Sequence, residues 1–503
     1  VVGLTEPPFP PGRYPLVIVG SGPGALQLTY CLRRLGVDHA VISADDSPGG
    51  MFRRWPIFQR MLSWTKPYAG HKHGSTEYER FDWNSMLADE PEHRAIMPGV
   101  MDGTSYFPSR PEMERGLVGF TERTGLAVRY GCRWESTSKE GDVFVLKTSD
   151  GEYRTDIAVF AVGVAEPWRP PVLMVDGVQQ YGGLRAAETY ADRRVFIVGK
   201  QNSGFEIATG LLPWARQIIL ASPSPTRLSV ELRSLVGVRA RYVQPYEDWA
   251  LSGGVVVLDA SIESVEKVDG RFRVVTKRPQ ESASRTFEVD DVIAATGFVT
   301  PLRDLAQRGV TLFGQSKLPA QTPFWESATV PNIFFAGTIM QGSQGLRKHG
   351  IPSNSGAVQG YRYNARVLAR HIAETKFGIQ HERRPMQAGD VIRYLLQEAS
   401  RGPELWHQRA YLARVVVTDP DRGVYDDGIQ PLAHFLDDAD GPNAVAMTLE
   451  ANGKDDPYPC AYLRQKGAPA KEILLDPDPL LNFETEDHRR ALTAALGGVG
   501  SLD

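Results

Sequence analysis

Cysteine is scarce in this 503-residue chain: Cys31, Cys132 and Cys460 are the only three, and no two stand at a CxxC or zinc-ligand spacing. The spacing therefore offers no disulfide framework, no zinc module and no dithiol redox pair, and it suits a reducing compartment. Long apolar runs are also missing. No stretch approaches 18 uninterrupted apolar residues, and the segment from Val1 shows no charged region followed by an apolar one, so a cytoplasmic protein without membrane contact is expected. Nor is there an excess of positive charge. The 56 Lys and Arg are outnumbered by 60 Asp and Glu, and a net charge of −4 removes a whole-chain footprint for nucleic acid.

What the chain does have is size, apolar content and glycine. With 42% hydrophobic and 23% charged residues it can bury a core, and disorder or a collagen-like repeat is excluded. At roughly 150 residues per domain, about three domains are expected. The 49 glycines are not spread as low-complexity sequence. They punctuate particular turns.

Residues 1–13 read as a Pro-rich extended arm, and an apolar strand from Tyr14 to Val19 runs directly into a Gly-rich turn. A helix follows, with Leu28, Cys31, Leu32 and Leu35 at spacings of three and four, and Gly36 ends it before a strand at Ala40 to Ser43. The turn reads Gly20-Ser21-Gly22-Pro23-Gly24-Ala25. In a G-x-G-x-x-A turn between strand and helix, Gly20 allows the tight bend, Gly22 lets backbone amides approach a pyrophosphate at the helix start, and Ala25 permits close helix packing. The acid that usually ends the second strand is replaced by Ser43. Asp45 is the candidate for the ribose, against the alternative that Asp45 and Asp46 are solvated loop residues. Next, Gly49-Gly50-Met51-Phe52 supplies paired glycines that let backbone come close to a ring or phosphate.

A second unit of this kind starts at Val195, with the turn Gly199-Lys200-Gln201-Asn202-Ser203-Gly204, a helix through Leu212 and a strand at Ile218 to Ala221. Two such units imply two nucleotides. Gln201 stands where a middle glycine is usual and would crowd the pyrophosphate, while Asn202, Ser203 and Gly204 remain candidates at the helix start. Arg227 is the nearest downstream cation for a 2′-phosphate, at even odds with a solvated arginine. Residues 52–110 are rich in Trp, Pro, Tyr and His and suggest irregular loops around a site. Strands are expected over 143–163 and 254–298, and a helix around Ala365 to Ile372. From about residue 380 short strands such as Arg414 to Thr418 and Ala444 to Leu449 suggest a separate region, with Trp406, Tyr411 and Phe435 as core candidates.

The GxGPxx turn, the GGxF segment, Ala161-Val162-Gly163 and Ala295-Thr296-Gly297-Phe298 together resemble the class B flavoprotein monooxygenases, over roughly residues 14–375. That group includes amine N-hydroxylases, flavin-containing monooxygenases and Baeyer-Villiger enzymes. The resemblance implies an α/β fold with two Rossmann-like dinucleotide-binding domains, for FAD and NADPH, plus a small α+β carboxy-terminal domain. The divisions expected are 1–167 and 285–378 for FAD, 168–284 for NADPH and 379–503 for the extra domain. Pro23, Met51, Phe52, Thr296, Gly297 and Gly337 join the cofactor contacts on the same basis. The second turn is similar to the family's GxGxSGxEIA motif. Phe107-Pro108-Ser109-Arg110-Pro111-Glu112 looks like the PxRxE run of N-hydroxylases, and His349-Gly350-Ile351 looks like their HGL segment. The F-x-G-x-x-x-H fingerprint of the other two groups survives only in outline, Tyr181-Gly182-Gly183 being followed by Ala187.

In that family NADPH reduces FAD, and a hydroperoxyflavin passes one oxygen atom to a nucleophilic substrate. The cofactor carries the chemistry and no acid–base pair is needed, and none is found in the sequence. Lys66, Trp64 and His349 are the catalytic candidates by position, Trp64 standing where many flavin-containing monooxygenases carry Asn. For Trp64 a core role is equally open, for Lys66 a surface role, and for His349 and its neighbour Lys348 a loop role. The expectation is an FAD- and NADPH-dependent monooxygenase of secondary metabolism, most simply an N-hydroxylase of an amine or amino acid. Baeyer-Villiger or S-oxygenation, an NADPH oxidase or reductase without oxygen transfer, and a non-catalytic binding protein stay as alternatives. Its partners would be a small-molecule substrate and molecular oxygen, with no metal, and a homo-oligomer is left open.

Overall fold

The computed structural model describes residues 7–232 and 235–496. Residues 1–6 of the Pro-rich arm lie outside that range. The chain divides into two units, one of residues 1–51, 63–163 and 302–503, the other of residues 52–62 and 164–301.

The first unit is built on the strand Gly12–Val19, where Leu16, Val17, Ile18 and Val19 are all buried. A strand covered on both faces needs a continuous apolar run of this kind. It pairs in parallel with Ala40–Ile42 on one side and with Gly151–Phe160 on the other. The last of these also pairs in parallel with Ile333–Phe335 at its end, and antiparallel with Val143–Thr148 near its start. Helix Pro23–Arg34 enters with Pro23 in its first turn and leaves with Arg33 and Arg34 in its last, both favourable to a helix. It packs against the 20-residue helix Val358–Phe377, which ends on Gly378 in the left-handed conformation.

The carboxy-terminal part of this unit is a six-stranded antiparallel sheet, ordered Arg384–Pro385, Gly423–Pro431, Leu412–Asp419, Ala444–Glu450, Tyr458–Arg464, Lys471–Leu474. Alternation sorts its two faces. Val416, Val445 and Met447 join the helices Val391–Arg401 and Glu486–Leu496 in one core, while Val415, Val417, Ala446 and Tyr462 join Leu432 and Phe435 in another. Phe435 is thus core, as its sequence suggests, and Tyr411 is buried as well, bonded to Trp325 and Ser343.

The second unit holds a five-stranded parallel sheet in the order Val255–Asp259, Gln217–Ser222, Arg194–Val198, Asp291–Ala294, Gln179–Gln180. The antiparallel strands Ser261–Val268, Arg271–Lys277 and Arg285–Val289 pack on it. Because Asp291–Ala294 pairs with Arg194–Val198, residues 285–301 belong with this unit, where the sequence reading had ended it at 284. The segment 52–62 also belongs here, packing Trp55, Ile57, Phe58 and Leu62 against the core. The fold is that expected: two Rossmann-like units and a small α+β carboxy-terminal region. No helix among the described residues is long and apolar enough to cross a membrane.

Candidate functional site

Both Gly-rich turns are made by the same three contacts. Gly20 N donates to Ile42 O at 2.8 Å, Ala161 N donates to Val19 O at 2.8 Å, and a Cβ on Gly20 would lie 2.6 Å from Ala161 O. In the second unit Gly199 N donates to Ala221 O at 2.8 Å, Ala295 N donates to Val198 O at 2.8 Å, and a Cβ on Gly199 would lie 2.2 Å from Ala295 O. Both glycines have φ near +120°, at 125° and 122°. Steric closure and backbone conformation each require glycine. The AVG and ATG segments of the sequence are therefore the far walls of these turns.

Gly22 differs. Its φ of −72° and ψ of 174° suit any residue, and a Cβ there would meet nothing within 4 Å. It caps helix Pro23–Arg34 with no side-chain bond to the first amides. A glycine that the protein itself does not need, at an uncapped helix start, fits a site where a pyrophosphate takes the space and the N–H groups. Around it, Ser21 Oγ shares a hydrogen bond with Ser43 Oγ at 2.8 Å and reaches Asp45 Oδ2 at 3.2 Å, and Ser43 Oγ reaches the same oxygen at 3.3 Å. Ser43, at the strand end where an acid is usual, instead draws Asp45 to the turn. Gly49 N donates to Ser21 O at 3.1 Å, and Gly50 packs on Gly22. The structure thus brings Gly20, Gly22, Pro23, Ala25, Asp45, Gly49 and Gly50 into one cradle, with Met51 on the turn that follows. Sequence reasoning passed over Gly24, which touches Gly337, and Ser21.

In the second unit Gln201 takes the place of Gly22 as the helix cap, again without a capping bond and with its side chain exposed. Asn202 is occupied: its Nδ2 donates to Gly237 O at 3.1 Å and its Oδ1 accepts from Arg239 N at 3.0 Å. It ties Gly237 and Arg239 to the helix start. Gly204 packs on the Gly199 carbonyl, where a Cβ would lie 2.2 Å away. Arg227 is exposed. Arg239, missed in the sequence, is half-buried, with its Nε buried and without a hydrogen-bond partner. Burial alone lowers its pKa. Lys200, almost fully buried, is paired with Asp259 at the end of strand Val255–Asp259.

Glu206 of the same motif is buried and accepts hydrogen bonds from Tyr181 OH and, at 3.0 Å, from Phe58 N. Burial raises its pKa despite those bonds. A Cβ on Gly182 would lie 2.5 Å from Trp55 Nε1. Glu206 and Gly182 thus seat the 52–62 segment, which includes Phe52, against the second unit. Thr296 Oγ1 donates to Trp168 O and Gly297 O accepts from Trp168 N at 2.9 Å. This puts Thr296 and Gly297 in the second unit, because they follow the strand Asp291–Ala294.

The catalytic candidates separate. Trp64 packs on Trp83, tilted by 34° with centroids 3.9 Å apart, Lys66 Nζ lies 5.0 Å over the Trp64 ring, and Trp83 abuts His407 edge-on. His349 is elsewhere. Its Nε2 is 2.9 Å from Tyr458 OH on the carboxy-terminal sheet, and Lys348 is paired with Glu450 and Glu472 there. With Tyr411 on Ser343 and Gln408 on Asn354 and Ser355, the carboxy-terminal region grips the segment that follows Gly337.

The PxRxE-like run has a structural cause. Ser109 Oγ accepts from Glu112 N at 3.3 Å and Glu112 Oε2 accepts from Ser109 N at 2.6 Å, a reciprocal capping box for helix Arg110–Arg123. Its S-x-x-E spacing was legible. All three cysteines are buried and free, and burial pushes the Cys460 thiol up to about 12.

A family model described as pyridine nucleotide-disulphide oxidoreductase matches residues 17–337. The chain is 26% identical over 409 residues to the FAD-dependent oxidoreductase domain-containing protein 2 of Danio rerio, covering 71% of this chain and 58% of that relative. It spans less than two thirds of that relative's length. Its fold is similar to a bacillithiol disulfide reductase from Bacillus cereus, with a TM-score of 0.56 and 19% identity over 73% of this chain and 100% of that one. It is also similar to a flavin-containing monooxygenase from Stenotrophomonas maltophilia, with a TM-score of 0.51 and 19% identity over 72% of this chain and 98% of that one. FAD and NAD(P)H are the cofactors this likeness and the two cradles support.

Proposed function

The chain belongs to the pyridine nucleotide-disulphide oxidoreductase family, and we propose that it is an NADPH-dependent flavin reductase that delivers electrons to an acceptor outside its own cysteines. The reading is carried by the pairing of two nucleotide cradles with three buried thiols. When bound, the nicotinamide and the flavin supply two-electron transfer and onward delivery. The open space at Gly22 and the first amides of helix Pro23–Arg34 would hold the FAD pyrophosphate, and Asp45 the ribose. The start of helix Asn202–Leu211, with Ser203 and the Asn202-anchored loop carrying Arg239, would hold NADPH. A thiolate attacks far better than a thiol, so the buried, unpaired cysteines give no route for a disulfide relay within the chain. The bacillithiol disulfide reductase is similar in fold, and a small external disulfide is one acceptor consistent with the proposal.

Oxygen transfer is the second reading, supported by the likeness to the Stenotrophomonas monooxygenase and by the Trp64, Trp83 and Lys66 group. Ser109 and Glu112 form a helix cap and His349 bonds Tyr458, so local structure also accounts for the two segments that resemble those of N-hydroxylases. The test is steady-state NADPH oxidation by the FAD-loaded protein with a quinone or ferricyanide acceptor under nitrogen, repeated in a Cys31→Ala/Cys132→Ala/Cys460→Ala variant. Acceptor reduction retained in the variant supports the proposal. Turnover that requires oxygen and yields a substrate heavier by one oxygen atom would replace it with the second reading.

A further inference from the structure

Trp406 carries two arginines on its ring. The Arg409 guanidinium lies 3.9 Å from the ring centroid and that of Arg80 4.6 Å. They come from different parts of the first unit: Arg80 from the turn Glu77–Phe81, Trp406 from helix Pro403–His407, and Arg409 from the chain just after that helix. Arg80 is set in place by donating to Ser400 O at 2.7 Å, while its Nε is buried without a partner. Arg409 also has a buried Nε without a partner, and among the described residues it pairs with no carboxylate.

Three nearby arginines are matched by carboxylates. Arg366 lies 3.7 Å from Glu404, Arg401 makes two bonds to Glu484, and Arg414 is paired with Glu398 and Asp426. The carboxylate of Glu79, next to Arg80 in sequence, accepts from Tyr363 OH at 3.0 Å. Burial, and then Arg80, push the Arg409 guanidinium down to about 10, and burial alone lowers Arg80. Beside Arg80 opens a cleft of about 230 Å³, lined by His71, Glu77, Arg80, Phe81 and Arg401, with the His71 ring stacked on Phe81.

Buried cations are ordinarily compensated, and a planar guanidinium offers paired donors that match an oxyanion. Two half-buried guanidiniums that repel one another, neither paired with a carboxylate among the described residues, lack a negative charge, and Arg80 is the one that lines the cleft. We propose that Arg80, Trp406 and Arg409 form a binding site for the anionic group, carboxylate or phosphate, of a small ligand seated in the cleft between the 71–81 loop and helix Val391–Arg401. Glu77 also lines the cleft, and Arg401 there is already paired with Glu484. The proposal stands on these contacts and is independent of the reductase reading.

The FAD-loaded protein is titrated with inorganic phosphate and, separately, with succinate, at an ionic strength fixed with chloride, by calorimetry and by thermal unfolding. Saturable binding of either anion with a Kd below about 1 mM is expected, and the anion that saturates identifies the ligand class. Arg409→Gln and Arg80→Gln should each weaken it about tenfold or more, as loss of a charge-assisted bond does. Arg393→Gln should leave it within about threefold, because Arg393 is exposed, paired with Asp390 and outside the cleft lining. Without anion, Arg409→Met should hold or raise the Tm, since an uncompensated buried cation is removed. Binding that never saturates, binding unchanged in both Gln variants, or a lower Tm in Arg409→Met overturns the proposal.

Discussion

Gly24 and Gly337 meet backbone against backbone: a Cβ on Gly24 would lie 2.2 Å from the Gly337 Cα and 2.4 Å from its nitrogen. Neither atom can swing aside. Gly24→Ala should therefore cost well above the 1–3 kcal/mol or so of ordinary overpacking, and the protein should be recovered without flavin and with a reduced Tm. Gly22→Ala is the contrast, since its Cβ meets nothing within 4 Å. Its stability without flavin should stay within about 0.5 kcal/mol of wild type while flavin is lost. The absorbance ratio of flavin to protein, with the Tm of flavin-free samples, distinguishes the two. A Gly22→Ala protein that keeps its flavin would remove Gly22 from the FAD site.

Arg239, not Arg227, should select NADPH. Its backbone is fixed by Asn202 Oδ1 at the helix start, and its Nε is buried without a partner. Loss of a charged hydrogen bond is worth about 1.5–3 kcal/mol, so Arg239→Gln should raise KM for NADPH by about 10–100-fold and KM for NADH much less. Arg227→Gln should change neither by more than about twofold, in keeping with its exposure. Equal losses for NADPH and NADH in Arg239→Gln would count against a 2′-phosphate contact.

Gln201 caps its helix at the position that Gly22 holds in the first unit. Gln201→Gly should lower the Kd for NADPH by opening the approach of a pyrophosphate to the first amides. Fluorescence titration of the flavin-loaded protein measures it, and weaker binding would show that the glutamine side chain is itself a contact.

Glu450 is fully buried, and Lys348 Nζ lies 3.1 Å from its Oε2. Removing one member of a buried pair costs about 3–5 kcal/mol, less here because Lys348 is partly exposed. Lys348→Met should lower the Tm, and adding Glu450→Gln should restore part of it by removing the stranded charge. If the double variant is less stable than the single one, the pair does not hold the 343–355 segment in this way.

Acid should destabilise the protein through its histidines before its carboxylates. Burial is the main cause that holds His371, stacked on Phe324 at 4.0 Å, down at about 4, and burial likewise lowers His407. The unfolded chain takes up these protons at a pKa of about 6.5. The folded state therefore binds fewer protons in this range, its stability is complete above about pH 6.5, and it falls as pH drops toward about 4. Unfolding between pH 7 and 5 should show that decline, and His371→Gln should flatten it. An equal slope in the variant would exclude His371.

Much of this was legible because local chemistry demanded it. A strand buried on both faces must be apolar throughout, as Leu16 to Val19 are, and a turn closed on a carbonyl must begin with glycine, as Gly20 and Gly199 do. Ser109 and Glu112 show a spacing with two readings, a local helix cap that also resembles a functional motif. Gly24 and Arg239 were not legible, since their partners, Gly337 and the Asn202 helix start, are distant in sequence.

The sequence by itself determined the two nucleotide turns, their flanking strands and helices, and a distinct carboxy-terminal region, because each depends on periodicity and on residues next to one another. Only the tertiary structure decided the destination of side chains whose partners come from other segments. It took Lys348 and His349 to Glu450 and Tyr458, joined Thr296 to Trp168, and set Arg80 and Arg409 on Trp406. Charge and ring contacts act across space and leave no period in the chain, so they become readable only when the chain is folded.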